Sequence, residues 1–286
     1  MKSKNEFLTL LLCTFLIHNI NATSYNSHGQ TGLITLPSAE VHDELSIYLT
    51  FNKSEFTKLG SLTVTPFKWL EASYFYYRPD DLLWGQSKGL YLDKGFNVKF
   101  SFKPDSLYLP RFAIGLDDFA GTGHFTKEYI ASTYSFNNLK ITSGIGWGKF
   151  AGESTIENPL RFISNNLTER PDLSKNFDYG GTPSNDKWFR GDAIIFGGIE
   201  AKLPMIKNLS LKIESNPYDY FKYSCCGEGL SEESYLVRKK DSNINFGFSY
   251  KFKEFGNIDF TYIKGNTWNL IFSVGFSAKK NYKKKN

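Results

Sequence analysis

In "WNLIFSVGFS", residues 268–277, every second side chain is large and apolar: Trp268, Leu270, Phe272, Val274 and Phe276 alternate with Asn269, Ile271, Ser273, Gly275 and Ser277. A period of two is the signature of a strand with two unlike faces. The same alternation runs through "NINFGFSYKF" (243–252), where Ile244, Phe246, Phe248, Tyr250 and Phe252 oppose Asn245, Gly247, Ser249 and Lys251. It recurs in "GFNVKFSF" (95–102), where Phe96, Val98, Phe100 and Phe102 oppose Asn97, Lys99 and Ser101. A sheet facing water would carry polar residues on its outer side, whereas large rings on strand after strand call for a hydrocarbon surround. Composition agrees: aromatics make up 17% of the chain while the mean hydropathy is only −0.36, so rings are abundant without overall hydrophobicity.

Reading on this basis gives about twelve strands, near 45–52, 59–65, 69–78, 95–102, 110–117, 129–136, 139–148, 192–202, 208–216, 243–252, 256–263 and 267–277. The connections alternate in length. Those at 66–68, 103–109, 137–138, 204–208 and 253–255 are short, while 79–94, 118–128, 149–191 and 217–242 are long; on the long side only the first and last, 53–58 and 264–266, are brief. An even number of strands with short turns at one end and long loops at the other is the layout of an outer-membrane barrel. Closure is forced, because no water satisfies a free sheet edge inside hydrocarbon. The expected fold is therefore all-β, an antiparallel transmembrane barrel of about twelve strands over 45–277, with a soluble β-sandwich as its rival. Two strands depart from the simple pattern: "AIIFGGIEAK" (193–202) starts apolar on both faces and "WLEASYFYYR" (69–78) has aromatics on both, which suits contact with a plug or a packed lumen wall.

The first residues carry Lys2 and Lys4, an apolar stretch from Phe7 to Ile17 and a small residue at Ala22, the pattern of a cleaved secretory signal over 1–22. The apolar part is too short to span a bilayer. Leu12 before Cys13 lacks the small side chain that a lipoprotein signal needs. Residues 23–44, punctuated by Gly, Pro and Ser, read as an irregular periplasmic or plug segment. The net charge of +5 owes much to a basic tail at 278–286, read as a solvated end rather than a nucleic-acid site. Cys225 and Cys226 are adjacent, either a strained vicinal disulfide, a cross-link to a partner or free thiols, and no metal-ligand spacing surrounds them.

Several stretches together resemble one family: "TGLITLPSAE" (31–40), "GFNVKFSF" (95–102), "YLPRFAIGLDDFAGTGHFTKEYIASTY" (108–134), "LKITSGIGWGKF" (139–150) and "WFRGDAIIFGGIEAKLP" (188–204). The chain is similar over roughly 31–220 to the YjbH-like (YjbH/GfcD) family of outer-membrane proteins linked to exopolysaccharide and capsule production. The resemblance implies a barrel in the outer membrane of a Gram-negative bacterium that assists export of a polysaccharide beside a polysaccharide-export protein. Family members are longer than this chain and carry a second barrel-like half.

The stretch "GLDDFAGTGHFTKEY" (115–129) has the look of a chemical site. A phosphate cradle is excluded by spacing, since a P-loop needs Gly-Lys-Ser/Thr between a strand and a helix and here His124 and Phe125 follow Gly123 between strands. Asp117, Asp118, His124 and Glu128 at the barrel rim have the acids and base of a rim enzyme, but no nucleophile accompanies them. The loop reading fits the spacing best: Gly121 and Gly123 permit positive φ, Asp117 and Asp118 accept loop N–H groups, and Phe119 and Phe125 anchor the loop. Asp117, Asp118, Phe119, Gly121, Gly123 and His124 are thus candidates for glycan contact or for structuring the loop, with no catalytic residue, metal or cofactor expected. On the lumen face, Lys99, Lys140, Lys212 and Lys251 mingle with Asp117, Glu200, Glu214 and Asp259, which favours an ion-pair network or a plugged barrel over a selective pore. The function expected is non-catalytic assistance to exopolysaccharide export, in contact with outer-membrane lipid and with no nucleic-acid partner; a general diffusion channel and, behind it, a rim enzyme are the rivals.

Overall fold

The computed structural model describes residues 24–80, 83–84, 89–90, 92–121, 123, 125–152, 154–171, 181–220, 238–252 and 256–278. Twelve strands close into one antiparallel barrel: β1 (Ser46–Ser54), β2 (Thr57–Phe67), β3 (Leu70–Pro79), β6 (Asp93–Phe102), β7 (Arg111–Asp117), β8 (Lys127–Phe136), β9 (Leu139–Gly148), β10 (Ile194–Lys202), β11 (Leu209–Ser215), β12 (Ile244–Phe252), β13 (Gly256–Ile263) and β14 (Thr267–Ser277). Each pairs with its chain neighbour, and β1 pairs with β14 to shut the seam, Ser46 opposite Ser277 and Ser54 opposite Asn269. A small ribbon of β4 (Leu83–Trp84) and β5 (Gly89–Leu90) decorates the connection from β3 to β6.

The expected strands are all present, shifted at their ends by a few residues. Turn chemistry explains the tight end. The two-residue link between β8 and β9 places Asn137 at φ 50, the left-handed conformation a hairpin of this length requires. Pro66 sits where the β2–β3 register shifts between Val64 and Phe67, a place where a missing N–H costs the ladder nothing.

The two faces of the wall differ as the alternation demands. Leu49, Phe51, Phe96, Phe100, Phe112, Phe248, Phe260 and Leu270 all point outward and are exposed. An apolar belt of this extent is stable only against hydrocarbon, so the barrel is of the membrane-spanning kind. Inward positions are polar and buried, among them Thr50, Thr63, Glu71, Lys99, Lys212, Asp259 and Thr261. They are buried because the lumen is filled.

What fills it is the segment before β1. Residues 24–40 form a compact doubled turn, held by Asn26 N–H to Gln30 O at 2.7 Å, Ser27 N–H to Ile34 O at 2.7 Å and Gly32 N–H to Ser24 O at 3.0 Å. Tyr25 and His42, one from each arm, stack at 4.7 Å, and His42 packs on Tyr48 of β1 at 4.4 Å. Both arms of this hairpin therefore lie towards the short-turn end, and its bend at His28 reaches towards the long loops.

The two irregular strands now have reasons. Phe196 of β10 turns inward and stacks on Phe150 at 5.4 Å, and Phe75 and Tyr77 of β3 line the space above the plug while Tyr74 and Tyr76 face out. The long 149–191 connection neither fills the lumen as a constriction nor hangs free in its described parts. Phe150 enters the lumen, whereas Arg170 reaches back along the outer wall to clasp Glu128 of β8 at 2.6 and 2.9 Å. That carboxylate would otherwise stand bare on the outer face at the rim, and the loop is ordered by satisfying it.

Candidate functional site

Two features occupy the lumen: a plug bound through its main chain, and two chambers between the plug tip and the long loops. The plug is recognised by charged side chains that bind peptide groups. Glu214 on β11 accepts the N–H groups of Ile34 (2.9 Å), Thr35 (2.8 Å) and Leu36 (3.2 Å), the Thr35 hydroxyl (2.6 Å) and the Asn245 amide (2.9 Å). Glu71 on β3 accepts the N–H and hydroxyl of Thr31 and pairs with Lys99 at 2.9 Å. Lys99 donates to Thr31 O (2.9 Å), and Lys212 donates to Leu33 O (2.7 Å) while pairing with Asp259 (2.6 Å). Lys140 reaches Glu40 at 2.6 Å and Glu200 at 3.9 Å. The mixed lumen charge is thus a set of paired groups that also grip the plug backbone, the arrangement in which a buried ion pair leaves no lone pair or proton unmet.

The loop after β7 borders the plug tip. Asp117 faces the lumen, pairs with Lys127 at 3.2 Å and accepts the Gln30 side-chain amide, so its partners are the wall and the plug rather than loop N–H groups. Asp118, at φ 52, accepts the Phe125 N–H through Oδ2 at 3.0 Å, and its own N–H goes to Asn97 at 2.9 Å. Burial, then the neighbouring Asp93 carboxylate, push the Asp118 carboxyl well above the usual range. Gly123 has φ +73, which a side chain would resist; Gly121 has no positive φ, but a Cβ there would meet Asp118 Oδ1 at 2.1 Å. Phe119 is held by its backbone, between Phe96 O and the Ser184 N–H, both at 3.0 Å. Phe125 packs edge-on against Tyr77 at 5.1 Å. His124, Cys225 and Cys226 lie outside the described residues.

The first chamber, about 30 Å³, is lined by Phe75, Tyr77, Phe125, Asn97, Asp117, Asp118 and Lys127 above His28. The second, also about 30 Å³, lies by the β1–β14 seam and is walled by Asn52, Thr57, Asn269, Tyr218 and Tyr220. His28 and Tyr77 line both. Burial, reinforced by the Lys127 ammonium, holds the His28 imidazole well below its ordinary pKa and therefore neutral. Sequence reading did not find Glu71, Asn52, His28 or the tyrosines. Glu71 was hidden by the aromatics on both faces of its strand, and Tyr218 and Tyr220 belong to a connection whose inward fold has no periodic signal.

These features define a class: a twelve-strand, membrane-type β-barrel whose own N-terminal segment plugs the lumen. The chain belongs to the YjbH family, described as exopolysaccharide biosynthesis protein YbjH, whose profile matches residues 24–286. It is 27% identical over 266 residues to the uncharacterized lipoprotein YjbH of Escherichia coli (strain K12), covering 91% of this chain but 35% of that one, so it spans about a third of that relative's length. Among solved structures it is similar to a NanC porin (TM-score 0.38, 10% identity, 82% of this chain and 99% of that one). A Rhodopseudomonas blastica porin triple mutant is also similar (TM-score 0.27, 10% identity, 78% and 56%).

Proposed function

We propose that this chain is an outer-membrane barrel that assists the export or assembly of an exopolysaccharide without a catalytic step of its own. Its long loops face the exterior, and its short turns, with both arms of the plug, face the periplasm, where a polysaccharide-export protein is its partner. The observation that carries this reading is the family match over nearly the whole barrel together with its plug. The filled lumen favours assistance over general diffusion: a porin keeps a water-filled channel, and here Glu214, Glu71, Lys99 and Lys212 are committed to the plug backbone.

Deleting the gene in its native host is expected to lower surface polysaccharide while leaving its sugar composition unaltered, measured by extraction and monosaccharide analysis. Unchanged polysaccharide would sink the reading. Altered sugar composition would point to chemistry on the glycan and sink the non-catalytic part.

A further inference from the structure

The connection from β9 to β10 doubles back onto the outside of the barrel, and its described part there is a built lobe. Lys127 and Tyr129 of β8 hold Asp117 and Gln30 in the lumen, so Glu128 between them faces out, and Trp147 of β9 stands directly opposite it in the ladder. Both are fully buried because the connection covers them. Arg170 pairs with Glu128, the Phe189 N–H donates to the same carboxylate at 3.1 Å, and the Phe189 ring meets Trp147 edge-on at 5.2 Å. The base of the lobe is pinned through its main chain. Ile156 bridges Ala193 by bonds of 2.8 and 2.9 Å, the Gly191 N–H donates to Leu167 O at 2.9 Å, and the buried Asn158 amide donates to Leu167 O at 2.7 Å and Phe189 O at 2.8 Å.

What this bonded lobe leaves uncovered is apolar. Phe162 is 82% and Ile163 66% exposed, adjacent in the turn between Asn158 and Leu167, and Ile156 is exposed at the base. The charges beside them, Arg161 and Glu157, pair with each other. Side chains of this kind, held out of packing by a firmly fixed backbone, mark a contact surface. The wall beneath says what covers it. On the outer face, the row next to Glu128 and Trp147 is Ile130, Ile145 and Ile195, in register across β8, β9 and β10, with Ile130 and Ile195 exposed as part of the lipid-facing belt. Two residues of a strand span about 7 Å, so the base of the lobe sits only that far from the first row of the belt. That is the level at which hydrocarbon gives way to headgroups and at which aromatic side chains of membrane barrels enter lipid.

We infer that this lobe is a lipid-docking bracket: Phe162 and Ile163 enter the acyl-chain margin of the leaflet on the long-loop side, and Arg170 with Phe189 holds the lobe to the wall so that they reach it. The occupant is lipid rather than protein because the patch adjoins a surface that hydrocarbon already covers, and a protein seated there would have to displace that lipid. A bracket of this kind sets the depth of one side of the barrel in its leaflet. It does so whatever the barrel carries, so the inference stands apart from the export reading.

The whole chain is reconstituted in vesicles of phosphatidylethanolamine and phosphatidylglycerol with the photocrosslinker p-benzoylphenylalanine in place of Phe162 or Ile163. The lipid-facing Ile195 and the exposed, charged Lys239 of another long connection serve as reference positions. Folding is checked by heat-modifiable electrophoretic mobility and adducts are identified by mass spectrometry. Positions 162 and 163 are expected to yield acyl-chain adducts as position 195 does, and position 239 few or none. Absence of lipid adducts at both lobe positions, labelling at 239 as strong as at 162, or crosslinks to a second copy or another protein in place of lipid, in vesicles or in the native host, overturns the inference. Arg170→Leu is expected to lose most of the adduct at 162 while position 195 keeps its own, and an unchanged yield at 162 in the folded variant removes the role given to Arg170. If that variant does not fold, Phe189→Ala is read in the same way, and the adduct pattern of the otherwise unmodified chain decides the docking itself.

Discussion

At the scale of single residues, the lumen solves a problem that hydrocarbon proteins usually avoid, the burial of irregular backbone. Residues 31–36 make only isolated bridges, so several of their peptide groups are met by full charges instead. Glu214 alone satisfies three successive N–H groups. Replacing it by alanine leaves those donors buried without an acceptor, and the expected loss is on the order of 3 kcal/mol. It is read as a lower urea midpoint for the heat-modifiable form, with Glu214→Gln recovering part of it. His28 gives a pH signature. Its imidazole is held below the ordinary pKa of about 6.5, so in the unfolded chain it takes up its proton first. Stability is therefore expected to fall as pH drops below about 6.5 towards the depressed value, and to be independent of this group above it. Asp118, raised by burial and by Asp93, pulls the other way, since its folded form holds the proton more tightly. Only the difference between the native chain and His28→Gln reports His28, and a smaller acid loss in that variant is the expected result.

Elements show why some of the molecule was readable and some was not. A strand in a membrane wall must alternate along its whole length, so Trp268 to Phe276 announce β14 without reference to anything distant. The plug has no such internal rule. Its shape is set by Glu71, Glu214, Lys99 and Lys212, which lie in three strands far apart in the chain. Lumen charges were visible as a mixed set, yet which of them would hold backbone depended on register between distant parts of the chain. Around "GLDDFAGTG" the sequence shows the need for a compact turn, and Gly121 and Gly123 meet it, but not that Asp117 would turn to Gln30 of the plug. The plug is also the element whose removal has the plainest readout. In planar bilayers the complete barrel is expected to be silent, while a chain lacking residues 24–40 is expected to pass ions in stable steps. A conducting complete barrel would show that the hairpin leaves a continuous path.

On the scale of the whole molecule, the barrel and its filling are one object rather than container and content. The outer belt faces lipid, the wall is a closed ladder, and the interior is a network in which nearly every lysine found inward has a carboxylate or carbonyl to hold. The hairpin that fills it immediately precedes β1, the strand that meets β14 to shut the ring. A ring already shut would have to admit a folded polar segment and strip its water in a space no wider than itself. The order expected is the reverse, the hairpin laid in before the last seam shuts, and it is checked by whether a chain lacking residues 24–40 reaches its heat-modifiable form at a different rate from the complete chain. On that order the hairpin is a lining the closing ring meets, and a chain without it closes on an empty lumen.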